Sequence, residues 1–265
     1  MTAQYGPHRW SAGYHDDGTN ARFRGHTFMV NDLAGARFVD CDLREVKIVD
    51  GYLADVDISG WVERLTINGV DVTDYVNEQL DRRHPEREQL RSIGSIDDFR
   101  AMWNTVERLW AETAERAAGL PESALQARVG GEWSYVETLR HLVFITDSWA
   151  SRTILDEENP FHPLALPQTA YSPGDAAALG IEIDAKPSLA EVVEVRAGRM
   201  ALMRDLLGRL TNADLGRACA RPPAPGYPEE QRAVAECLAV VMEEEIDHHR
   251  YAARDLAILE ATTPS

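Results

Sequence analysis

Large apolar residues recur at a strict spacing of five along the first part of the chain: Phe23, Phe28, Leu33, Phe38, Leu43, Ile48, Leu53 and Ile58. Five matches neither the 3.6-residue turn of a helix nor the two-residue repeat of a strand, so neither element is predicted there. The positions two before each of them, Ala21, His26, Asn31, Ala36, Cys41, Val46, Gly51 and Val56, are mostly small or compact. In the segment 61–76, Val62, Leu65, Ile67, Val70 and Val72 surround the dipeptide Asn68-Gly69, which predicts a hairpin. Residues 76–94 are polar and strongly charged, a linker with room for one short helix.

From Ser95 onward the spacing becomes helical. Phe99, Met102, Trp103, Val106, Leu109 and Trp110 follow a Ser95/Asp98 start signal and stop at Gly119-Leu120-Pro121. A second pattern opens on the capping box Ser134/Glu137 and carries Leu139, Leu142, Ile145, Trp149 and Ile154. A third opens on Ser188/Glu191 and runs through Val192, Met200, Met203, Leu207 and Leu210. The fourth is expected to start near Pro228, a residue suited to a first helical position, and to reach about Glu260. Four long amphipathic helices without a strand among them predict an all-α four-helix bundle. Between the second and third lies a proline-rich stretch, 157–187, with Phe161, His162 and Tyr171; it is too long for an ordinary helix connection and reads as a crossover or lid.

The five-residue pattern over residues 21–60 resembles the pentapeptide-repeat family. That resemblance implies a short right-handed quadrilateral β-helix of about two coils, with the central Phe or Leu and the small residue two before it pointing inward. Phe38 is then expected to be fully buried. So short a solenoid needs a cap at each end; the arm bearing Tyr5, Trp10 and Tyr14 is the candidate for one, and Trp61–Val76 for the other. The domain expectation is a multidomain chain: a capped solenoid over 1–75, a linker over 76–94 and the bundle over 95–265.

The formal charge of −17 at pH 7 argues against nucleic acid or an anionic membrane as partner, since both select a positive surface. No apolar stretch has the length of a membrane span, the first residues lack the order of a signal peptide, and a cytoplasmic location is expected. Cys41, Cys219 and Cys237 form no CxxC pair, so neither a disulfide framework nor a thiolate zinc site is expected; Cys237 reads as a small core residue.

The candidate chemistry is on helix four, in Glu243-Glu244-Glu245-Ile246-Asp247-His248-His249-Arg250-Tyr251. Residues four apart share a helix face, so Glu245 can converge with His249, and Glu244 with His248. The apolar stripe Leu238, Met242, Ile246, Ala253 and Leu256 favours Glu245/His249 as the inward pair, with Glu244/His248 as the alternative. His141 on helix two completes a two-histidine, one-carboxylate set with open positions for water and substrate. Taken singly, a core histidine and a solvated glutamate run would account for these residues. Arg250 and Tyr251 are candidates to orient a substrate anion, and His162 in the long loop to approach from above.

Trp133-Ser134-Tyr135-Val136-Glu137-Thr138-Leu139-Arg140-His141-Leu142, with the end of helix four, resembles the DinB-like superfamily over about residues 95–260. The resemblance implies a four-helix bundle that binds a divalent metal through the helix-two histidine and a His-x-x-x-His pair on helix four. Here a glutamate, Glu245 in the favoured register, stands where the first histidine of that pair is expected. Zinc is the first metal expected, with nickel, iron or manganese as alternatives. The resemblance further implies a metal-dependent enzyme acting on a small-molecule substrate: an S-transferase or isomerase using a low-molecular-weight thiol such as mycothiol or bacillithiol, with no protein nucleophile required. Alternatives are a metal-dependent hydrolase, and a non-catalytic binding or structural module that uses the repeat for protein–protein interaction. The repeat could also form a homodimer.

Overall fold

The computed structural model describes residues 23–262 except 39, 40, 61, 169 and 170. Tyr5, Trp10, Tyr14, Ala21 and Trp61, expected to cap or enter the solenoid, lie outside the described residues. The chain divides into two compact units that meet in sequence at Arg83/His84.

In the N-terminal unit the period of five is written into the backbone. Gly25, Val30, Gly35, Glu45, Asp50, Asp55 and Gly60 all have positive φ, each two residues after a large apolar residue. Four of them are not glycine, and Val30, at φ 53°, is a β-branched residue in a region it rarely enters. Three β-turns recur at every second repeat, with the N–H groups of His26, Ala36 and Val46 donating to the carbonyls of Phe23, Leu33 and Leu43.

The enclosed interior expected of a quadrilateral β-helix is not seen. The eight large apolar side chains are 48–66% exposed, and Phe38, expected to be fully buried, is 64% exposed. The reason lies in the pairing: among the described residues of 23–60 no strand ladder joins one turn of chain to another. Each side chain therefore meets mainly its neighbours along the chain, as where the rings of Phe23 and Phe28 lie 5.9 Å apart.

The hairpin forms where Asn68-Gly69 predicts it. Strands β1 (Thr66–Ile67) and β2 (Val70–Asp71) pair antiparallel. Both turn residues have positive φ, as a type I′ turn requires. Helix α1 (Thr73–Arg83) follows at once.

The C-terminal unit is the helical bundle. Helix α2 (Glu86–Arg91) lies in the stretch expected as a linker and packs on α3 (Ile96–Ala117); its Gln89 side chain accepts from the Thr105 hydroxyl at 2.8 Å. A short α4 (Glu122–Leu125) leads to α5 (Tyr135–Ile145), which continues into a nine-residue π-helix, Thr146–Ile154. After α6 (Pro173–Ala178) come α7 (Leu189–Arg209) and α8 (Val234–Thr262). The capping boxes at Ser95, Ser134 and Ser188 are all formed, each serine hydroxyl accepting from the backbone N–H three residues on. Helices α3, α8, α5 and α7 contact one another in a ring around a core that includes Trp103, Phe144, Leu142, Met203, Leu238 and Met242.

One expectation changes here, and one is narrowed. Helix α8 starts at Val234 and not near Pro228, because the chain on either side of Ala233 is held extended against residues 217–219: Cys219 N–H donates to the Arg232 carbonyl, and Val234 N–H to that of Arg217. In the long connection 157–187, expected as a crossover or lid, the described residues Phe161, Leu166, Tyr171 and Ile181 are buried, as in a crossover packed on the bundle.

Trp103→Ala should destabilise the bundle by about 3–5 kcal/mol, the cost of truncating a buried aromatic. Phe38→Ala should cost about 0.5 kcal/mol or less, as for an exposed position. Denaturant unfolding checks both, and a loss above about 1 kcal/mol for Phe38→Ala would show that its side chain is packed.

Candidate metal centre

Two consecutive residues on α5 organise the site. The Arg140 guanidinium, almost wholly buried, donates to the carbonyls of Leu164, Ala185, Glu182 and Ile183, and so binds both ends of the crossover to the helix. Beside it, His141 Nδ1 lies 2.9 Å from the Leu166 carbonyl. A carbonyl can only accept, so Nδ1 carries the proton and Nε2 is left with its lone pair.

That lone pair faces a carboxylate. His141 Nε2 is 3.6 Å from Glu244 Oε2, and His248 Nε2 is 2.8 Å from the same oxygen. One ligand atom from each of His141, Glu244 and His248 lies within 4.8 Å of the others, a group that could hold a metal ion. His141 and Glu244 are buried, and the His248 side chain is 13% exposed, so the group is reached from the His248 side. Buried His141 Nε2 and Glu244 Oε1 have no hydrogen-bond partner among the described residues. An imidazole lone pair and a carboxylate turned towards each other in a buried place need a cation or a proton between them. The donor set therefore fits a divalent ion.

The titration of these groups agrees. Burial pushes the His141 imidazole below its ordinary value, keeping it neutral as a ligand must be. Burial alone would raise the Glu244 carboxyl; the neighbouring His248 imidazole foremost overcomes it and holds the group well below the usual carboxylate range.

Aromatic rings wall the group. Trp133 stacks on His248 at 5.8 Å and lies 4.6 Å from the His141 ring. Phe144 is 6.3 Å from His141, and Tyr251 is 6.1 Å from His248. Arg250 lies over the Tyr251 ring and pairs with Asp247 at 3.3 Å. His162 is used inside the crossover: its main-chain N–H donates to Asp147, and its Nδ1 accepts from Leu164 N–H.

The register favoured from the apolar stripe is not the one that converges on His141. Glu245 pairs with Arg196 of α7, and His249 Nε2 lies 2.7 Å from the Thr113 hydroxyl of α3. It is the alternative pair, Glu244 and His248, that lies with His141. The physical reason is that α8 contacts α3, α5 and the π-helix at once, so Glu244 and Glu245 are both buried and an apolar stripe cannot choose between them. Arg196 on α7 neutralises only one of the two glutamates, and which one it meets depends on how α7 packs against α8, so the spacing along α8 carries no signal for it. Sequence reading also passed over Arg140, and over Asp147, a buried carboxylate 2.6 Å from Arg199 whose pKa burial pushes up to about 6.

Fold and site together define a helical bundle with a buried His/Glu/His group that could hold a metal ion. A family model for the DinB superfamily matches residues 105–252, more than half of the chain, and the chain belongs to that superfamily. No curated protein and no solved structure matches it.

Removing one partner of the Arg196–Glu245 pair leaves a buried charge without its counter-ion. Glu245→Ala should destabilise by about 3–5 kcal/mol, whereas the double change Arg196→Met with Glu245→Leu should cost much less. Chemical unfolding of the single and the double variant tests this; equal losses for the two would contradict it.

Proposed function

We propose that this DinB-superfamily member is a metal-dependent enzyme that uses a low-molecular-weight thiol as an S-transferase or isomerase, with His141, Glu244 and His248 as metal ligands. The observation that carries the reading is the His141 Nε2 lone pair, fixed by the Leu166 carbonyl and turned onto a buried carboxylate. A divalent ion, zinc first among the candidates, would when bound hold a thiol as its thiolate near neutral pH.

The chain's own residues supply the rest. The Leu166 carbonyl keeps the tautomer and aim of His141. Trp133 and Phe144, whose rings lie against His141, would shield the group, and substrate would enter at the His248 edge, where the side chain is 13% exposed. Tyr251, with Arg250 over its ring, stands at that edge and would position an anionic group of the thiol or its acceptor.

A second reading draws on one observation. The large apolar side chains of residues 23–58, about half or more exposed, favour a pentapeptide-like segment that serves as a protein-binding module, whether or not the bundle is catalytic.

Elemental analysis of protein purified without added metal or a histidine tag should find about one divalent ion per chain. His141→Ala and His248→Ala should each lose it, Glu244→His should keep it, and His249→Ala should leave it in place. Loss in His249→Ala with retention in His248→Ala would restore the Glu245/His249 set. With metal bound, mycothiol or bacillithiol should be consumed against a haloarene electrophile; a loaded protein that consumes neither thiol overturns the transferase reading. Absence of metal at micromolar supply would leave the binding-module reading.

A further inference from the structure

Away from the candidate metal centre, the two buried cysteines of the bundle meet. Cys219 Sγ and Cys237 Sγ are 3.9 Å apart; Cys219 keeps a 9% exposed edge, and Cys237 is fully buried. Both are positioned by backbone. The bridge between Ala218 and Ala233, with Cys219 N–H donating to the Arg232 carbonyl at 2.8 Å, fixes the first. Cys237 sits one turn into α8, just past that same bridge.

The chain between them is a strap over the crossover and the π-helix. Its Pro225 carbonyl accepts from the Tyr171 hydroxyl at 2.9 Å, its Pro222 carbonyl accepts from Arg152 at 3.1 Å, and its Arg232 guanidinium lies over the Trp149 ring.

We propose that Cys219 and Cys237 are a reversible dithiol–disulfide pair, closed by exchange with a low-molecular-weight disulfide, which staples this strap to the start of α8. The sulfurs need to approach from contact to a bond of about 2.05 Å, a motion within reach of side-chain rotation where the backbones are already side by side.

The chemistry assigns the order of events. The Cys219 thiolate attacks one sulfur of the small disulfide, forming a mixed disulfide and releasing one thiolate. The Cys237 thiolate then attacks the Cys219 sulfur, forming the Cys219–Cys237 bond and releasing the second. The two protein thiols lose two electrons and two protons, and the small disulfide becomes two thiols. Cys219 is suited to attack first because it is the more exposed, and because the hydrogen bond from Cys237 holds its thiol below the ordinary value. The same contact raises Cys237, and it ends once Cys219 is capped.

The test uses the full-length Cys41→Ser variant, which has only these two cysteines, incubated folded with oxidised glutathione. Thiol titration after denaturation should fall from two per chain to none. The mass should drop by about 2 Da without adducts, the chain should run as a monomer on a non-reducing gel, and dithiothreitol should restore both thiols. The melting temperature should rise by about 6–12 °C on closure, as expected for a loop of this length. Cys237→Ser in the same background should stop at a single glutathione adduct on Cys219. Two adducts per chain, two thiols still free, or an intermolecular dimer would overturn the proposal. Should Cys41→Ser fail to fold, the unmodified chain serves: peptide mapping without reduction should find the Cys219–Cys237 bond, whatever adduct the exposed Cys41 carries, and its absence is the contrary result.

Discussion

The site depends on one buried cation reading backbone carbonyls. Among the described residues Arg140 has no carboxylate partner within hydrogen-bond distance; it directs its donors to the carbonyls of Leu164, Glu182, Ile183 and Ala185, which lie at the two ends of the crossover. A guanidinium removed from water must fill its donors, and carbonyls in an irregular loop must find donors, so each requirement answers the other. The result is a long connection tied to the helix at both ends. Because Leu166 lies between the two anchored ends, its carbonyl is delivered to His141, the next residue on the helix. The tautomer of a candidate ligand thus follows from how a neighbouring arginine is satisfied.

Helix α8 presents two glutamate–histidine spacings one residue apart, and the bundle treats them differently. Glu245 meets Arg196 and His249 meets Thr113, so that face has protein partners at hand. Among the described residues Glu244 meets the imidazoles of His141 and His248, the first of them turned lone pair first. Both faces are buried. What separates them is charge compensation: one carboxylate has a permanent cation from a neighbouring helix, and the other, among the described residues, has imidazoles that together with it could hold a metal ion.

The N-terminal unit shows how far a period can be carried without an interior. Positive φ at every fifth described position gives the segment regular corners, and the turns at Phe23, Leu33 and Leu43 close locally. Burial of Phe or Leu at the centre of each repeat demands something more, a neighbouring coil joined by a ladder. The backbone can adopt its corners residue by residue, but side chains are hidden only by chain that is distant in sequence.

Features set by a few adjacent residues were legible from the sequence. The capping boxes at Ser95, Ser134 and Ser188 start helices where their spacing says they should, and Asn68-Gly69 makes its hairpin, because hydrogen bonds across two or three residues and the steric freedom of Asn and Gly decide them locally. The four-helix character of the C-terminal unit follows from apolar spacing for the same reason. What only the tertiary structure decided involves residues far apart in sequence: Arg196 claiming Glu245 and so leaving Glu244 to His141, Ala218 pairing with Ala233 and so delaying α8 to Val234, Cys219 meeting Cys237, and the lack of any ladder around Phe38. Periodicity says which side chains turn inward along one element; which charge, carbonyl or sulfur each then meets depends on a second element that the pattern does not contain.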